Sequence, residues 1–121
     1  MNTSREPIHD EVASFRSAIR FDPDRPVVAN VATRHDTTVF VVCLDVGQVL
    51  SEHPAPADLT LLVIEGQPTI TVADAATVTA TGDVVVMAEE TLHSLAAGAQ
   101  RAVVVGVLHS SHPGDADGGQ A

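Results

Sequence analysis

No lysine, tryptophan or tyrosine occurs in this chain, and cysteine occurs once. Each shortage excludes something. The six cationic side chains are all arginine and face sixteen acidic residues, for a formal net charge of -10. A nucleic-acid or anionic-membrane surface needs a basic stripe that this composition does not supply. Phe15, Phe21 and Phe40 are the whole aromatic inventory, so stacking on bases or sugars is poorly provided for. Cys43 has no second cysteine to pair with, which excludes an intrachain disulfide and fits a reducing cytoplasm. The longest apolar runs, Val39 to Leu44 and Leu61 to Ile64, are too short to span a bilayer. The opening MNTSREPIHDEV carries no signal-peptide core. The expectation is a soluble cytoplasmic protein with no nucleic-acid or membrane partner, its acidity serving solubility.

A chain of 121 residues with 45% hydrophobic content makes one domain with one core. Residues 1–25 read as an N-terminal helical arm. Pro7 suits a first helical turn, and Ile8, Val12, Phe15 and Ile19 recur at helical spacing until Pro23 and Pro26 stop them. That stripe has to bury its face on the following domain or on a second subunit, and a two-fold homodimer is the commonest oligomer. Residues 110–121, rich in Gly, Asp and Ser, read as a disordered tail.

Residues 26–109 read as β. Val27 to Thr33 and Thr37 to Asp45 form strands around a His35-Asp36 turn. Gly47 bends the chain into a short strand at Val49 to Glu52, and Pro54 and Pro56 demand a loop or a sheet edge. Leu59 to Glu65 resumes as a strand ending at Gly66. Pro68 to Ala73 and Ala76 to Thr81 alternate threonine with apolar residues, a half-exposed hairpin around Asp74-Ala75. Asp83 to Ala88, Leu92 to Ala96 and Arg101 to His109 complete the set. Gly106 inside the last strand marks a bulge or a close backbone approach. About eight short strands with turns at close spacing give an all-β antiparallel sandwich or barrel, with a jelly roll as one standard closure.

Two segments share a plan. Gly47 to Gly66 runs from a turn glycine through His53 into an apolar strand and a second glycine. Gly82 to Ser94 runs from a glycine through an apolar strand and an acidic turn to His93. Over Val27 to His109 the chain resembles a small single-domain cupin. The family's first motif is a glycine, two histidines two positions apart, a glutamate and a closing glycine. Gly47, His53 and Gly66 fall in register with it, but Ala55 holds the second histidine position and Leu59 the glutamate position. In the second motif Gly82 and His93 are in register, with Ala88 in place of a proline, Glu90 in place of a glycine and Ala97 in place of an asparagine.

The resemblance implies a jelly-roll barrel whose ion, in metal-binding members, would sit at His53, Ala55, Leu59 and His93. Two of those four positions cannot coordinate. An open site for iron, manganese, nickel or zinc needs about three protein ligands, so a divalent metal is not favoured here. Asp58 and Glu52 neighbour the motif, but strand alternation points each away unless a bulge re-aims it. Cys43 reads as a small buried hydrophobe. His9 and His35 read as solvated, and His109 and His112 as an exposed end.

What remains is a mainly apolar barrel pocket lined by His53, His93, Ala55 and Leu59, suited to a small molecule. Histidine titrates near neutrality, so binding there can depend on pH. The leading expectation is a small-molecule-binding or sensing domain. The alternatives are a metal-dependent enzyme of dioxygenase, isomerase or cyclase type, as many cupins are, and a homodimeric assembly module.

Overall fold

The computed structural model describes residues 12–110. Nine strands follow one another: β1 (Val27–Arg34), β2 (Thr37–Leu44), β3 (Val49–Pro54), β4 (Asp58–Glu65), β5 (Thr69–Val72), β6 (Ala75–Val78), β7 (Val84–Met87), β8 (Leu92–Ala96) and β9 (Ala102–His109). They form a five-stranded sheet in the order β1-β2-β9-β4-β7 and a four-stranded sheet in the order β3-β8-β5-β6. Every pairing is antiparallel. The chain crosses repeatedly between the sheets, so non-consecutive strands such as β9 and β4 are neighbours.

Alternation explains the core. Along β4, Leu59, Leu61 and Val63 are buried while Asp58 and Leu62 are exposed. With Val42, Leu44, Ile70, Leu95 and Val104 they fill the space between the sheets. Burying each such Val or Leu side chain contributes about 1.5–3 kcal/mol. The five-stranded sheet is apolar on its outer face too. Val27, Val41, Cys43 and Val103 are buried there beneath Ala18, Ile19 and Phe21. Near-continuous apolar runs, as in VFVVCL of β2, are what a sheet covered on both faces requires.

The covering segment is less helical than its apolar spacing predicts. Among the described residues its one helical element is a 3-10 turn, Phe15–Ala18, capped by the Ser14 side chain accepting from the Arg16 N–H. Ile19 is already extended, and Val12 is fully exposed, so no four-residue stripe is buried as a helix face. Side chains hold the segment instead. The Gln48 side chain donates to the Asp22 carbonyl at 2.6 Å. Arg101 lies 4.2 Å from the Phe21 ring centroid and donates from Nε to Asp45 at 3.1 Å. These contacts suit an extended chain as well as a helix, and Pro23 and Pro26 leave no room for a longer one. Ile8, His9, His112 and the other tail residues lie outside the described residues.

The turns follow their glycines. Gly66 has φ +86°, and a β-carbon there would fall 2.2 Å from the Arg101 carbonyl oxygen. Only glycine fits such an approach. The β5–β6 hairpin turns at Ala73-Asp74, one residue earlier than the threonine alternation predicts, because Val72 pairs with Ala75. Among the described residues no helix is long and apolar enough to cross a membrane.

Candidate functional site

β3 and β8 pair at the edge of the smaller sheet, and His53 sits directly opposite His93. Their ring centroids are 4.3 Å apart, with the planes tilted by 56°. A β-bulge makes this possible. Leu50 pairs with Leu95 and His53 with His93, so three steps along β3 match two along β8. In an unbroken strand Leu50 and His53 would face opposite sides. The extra residue turns both inward, the re-aiming for which bulges are known. It also leaves Glu52 exposed.

Both rings are oriented by the backbone two residues before them. His53 Nδ1 is 2.8 Å from the Ser51 carbonyl oxygen, and His93 Nδ1 is 3.1 Å from that of Thr91. A carbonyl only accepts, so Nδ1 is the donor in each ring. This sets the tautomer and leaves Nε2 with a free lone pair. Among the described residues no hydrogen bond reaches either Nε2. His93 is 3% exposed. Burial pushes its pKa below the usual histidine value; the Thr91 bond opposes that shift and the nearby His53 adds to it. The His93 ring is therefore uncharged at neutral pH.

The two rings line a cavity of about 270 Å³ between the sheets, with Leu50, Leu59, Leu61 and Leu95 among its walls. Val28, Asn30, Phe40 and Leu108 close it from the larger sheet. Asn30 is the one other polar side chain in the lining. Of the residues singled out from sequence, His53, His93 and Leu59 share this cavity. Ala55 is fully buried nearby, but it is not part of the lining. Its N–H donates to the Thr91 carbonyl and its carbonyl accepts from Glu90, so its backbone braces the turn that leads into His93. Asn30 carries no motif; its one sequence signal is being the lone amide in the apolar strand VVANVATR. A wider recess of about 450 Å³ lies against β6 and β7. Its carboxylate, Asp83, already accepts from the Ala80 N–H, and among the described residues no histidine lines it.

The residues do not fit an open metal centre. Among the described residues no three His, Cys, Asp or Glu side chains converge. Asp58 is exposed and accepts from the Glu89 N–H at 3.0 Å. Cys43 is buried on the outer face of β2, among Val27, Val41 and Val103, and that burial pushes its thiol pKa up. His109 is exposed at the end of β9, its Nδ1 bonded to the Thr37 hydroxyl at 3.1 Å. Two imidazoles in an apolar wall fall short of the three ligands such ions take.

Solved structures place this architecture. A cupin superfamily protein from Desulfitobacterium hafniense DCB-2 superposes with a TM-score of 0.72 at 16% identity, over 90% of this chain and 100% of that one. An RmlC-like cupin from Desulfovibrio desulfuricans gives 0.70 at 25% identity, over 83% and 97%. A conserved protein with a double-stranded β-helix domain from Klebsiella pneumoniae gives 0.75 at 21% identity, over 84% and 90%. No protein-family model and no curated protein matches the sequence. Strand order, facing sheets and near-full-length structural neighbours agree, and the fold of this chain is the double-stranded β-helix of the cupin superfamily.

Proposed function

We propose that the protein is a small-molecule-binding or sensing cupin whose ligand sits between the sheets against His53 and His93. The observation that carries this reading is the cavity itself: apolar walls, with two imidazoles of fixed tautomer converging on one side. A few oriented polar groups in an apolar hollow is the ordinary composition of a ligand site. Size narrows the ligand. A cavity of roughly 150 Å³ holds one benzene molecule, so about 270 Å³ admits a single substituted ring or a short branched chain. The lining contains no charged side chain other than the histidines when protonated, so an uncharged ligand is favoured at neutral pH. The metal-dependent enzyme reading, of dioxygenase, isomerase or cyclase type, is not adopted because the third ligand is missing from the side chains that surround the site.

Native mass spectrometry of gently purified protein, with elemental analysis of the same sample, tests the proposal. The expected result is a low-mass organic adduct, or a raised melting midpoint with monocyclic probes such as toluene. Either effect should be lost when Asn30→Trp fills part of the cavity. Stoichiometric metal that disappears in both His53→Ala and His93→Ala, or no response to any probe, would overturn it.

A further inference from the structure

We propose that the His53–His93 pair is a double hydrogen-bond acceptor that selects uncharged ligands bearing two adjacent O–H donors, an aromatic vicinal diol being the simplest such class, and disfavours carboxylates. The inference rests on the binding reading above and adds the chemistry of the ligand's head group.

Three observations combine. Each ring gives its Nδ1 hydrogen to the carbonyl two residues before it in the chain, Ser51 for His53 and Thr91 for His93. Each Nε2 therefore presents a lone pair and no hydrogen. The rings are cross-strand partners with centroids 4.3 Å apart, and both line the same cavity, so one ligand can reach both. Among the described residues no hydrogen-bond donor in the cavity answers them. The other sheet contributes Asn30, Phe40, Leu59, Leu61 and Leu108 to the walls, none of them charged, and no hydrogen bond joins the Asn30 amide to either ring.

Two adjacent acceptors without a donor repel one another and pay for lost hydration. A diol offers each nitrogen a hydrogen, and its ring fills the apolar body of the cavity. A phenol satisfies one nitrogen. An aromatic ether fits the body and leaves both nitrogens bare. A carboxylate brings further lone pairs and a negative charge to a wall with no cation. The predicted order of affinity is catechol, then phenol, then methoxybenzene, with benzoate last.

Calorimetric titration of the full chain at pH 7.5, under nitrogen and with a chelator present, tests that order. One net neutral hydrogen bond is worth about fivefold in affinity, so catechol should bind at least about tenfold more tightly than methoxybenzene. In His53→Leu or His93→Leu the advantage should fall to about fivefold, the worth of the one remaining hydrogen bond, and in the double variant it should vanish while methoxybenzene still binds. Imidazole ¹⁵N spectra of the unsubstituted protein give a readout independent of variant folding. Both rings should show the Nδ1–H tautomer, and both Nε2 signals should move on addition of catechol. An Nε2–H tautomer, benzoate binding as tight as catechol, or a catechol advantage abolished by the chelator overturns the proposal. Methoxybenzene binding with no preference for catechol would sink this inference and leave the binding reading standing. No binding by any probe would remove both.

Discussion

Gly106 offers a direct test of how the cavity wall is packed. It lies in β9 opposite Phe40 of β2, and the Phe40 ring lies across it. A β-carbon on Gly106 would fall 2.2 Å from Phe40 Cζ and 2.6 and 2.7 Å from its two Cε atoms. Carbon atoms are comfortable at about 3.5–4.0 Å, so Gly106→Ala forces the ring back by more than about an ångström. Phe40 also lines the cavity, which gives the ring space to retreat and keeps the cost within the usual overpacking range of about 1–3 kcal/mol. Alanine opposes this by restricting the unfolded chain, for a gain of about 0.4–1 kcal/mol. Overpacking wins, leaving a net loss of about 1–2 kcal/mol. Thermal denaturation should show a fall of roughly 4–12 °C in midpoint for a domain of this size. Because the ring moves into the cavity, toluene binding should weaken in the same variant. Adding Phe40→Leu should recover part of the loss, since the residues are in contact and their effects should not add. A Gly106→Ala protein as stable as its parent, or a double variant whose loss equals the sum of the two single losses, would refute the reasoning.

Gly66→Ala should be worse, costing more than about 3 kcal/mol, because the added carbon meets Arg101 and Ala102 backbone at a φ of +86° and has no side chain to push aside; urea denaturation should place its midpoint below that of Gly106→Ala. Glu90 stands at a glycine position of the cupin motif and holds φ +76°, so Glu90→Gly should stabilise by about 0.5–1 kcal/mol after its own entropy cost; a lower midpoint would contradict this. His93 has a pKa depressed by burial below the usual 6.5, so the unfolded chain binds the proton more readily and stability is lost as pH falls through and below that value. The slope of unfolding free energy between pH 8 and 5 should flatten in His93→Leu, and an unchanged slope would rule out His93 as its source. Leu59→Glu places a carboxylate in the same cavity as both histidines and should create cobalt binding visible by absorbance, absent from the parent and lost again on adding His93→Ala.

Much of this architecture was legible from local chemistry. Turn glycines at 47, 66 and 82, the prolines at 54 and 56 and the β-branched runs delimit strands within about three residues of those observed, the expected strand to Thr81 ending at Val78, because each signal acts on the backbone that carries it. The sheet edge implied by Pro54 is where β3 lies. Gly106 meets the close approach that its place in a strand implies, although the partner is the Phe40 ring and not backbone. Three things were not legible. The bulge at Ser51-Glu52 has no compositional mark and emerges only when β3 is paired with β8. Asn30 and Phe40 reach the cavity from strands far from either histidine in sequence, through a sheet order that places β2 beside β9. Within the described residues the apolar spacing of Val12, Phe15 and Ile19 overstates helix, because the segment's contacts, through Phe21 and the Asp22 carbonyl, reward an extended path equally.

The histidine pair keeps its geometry without a third ligand beside it among the described residues. Each imidazole is held by the carbonyl two residues before it in the chain, so neither orientation depends on which side chain occupies positions 55 and 59. Alanine and leucine at those positions remove the need to bury a carboxylate, a group that is costly in an apolar wall unless an ion or a donor answers it. A glutamate at position 59 with no metal beside it would destabilise the barrel, whereas Leu59 packs into the core at 3% exposure. With leucine at position 59 the wall of the hollow is apolar, and the two Nε2 lone pairs are its remaining polar demand. What satisfies that demand has to bring its own hydrogens.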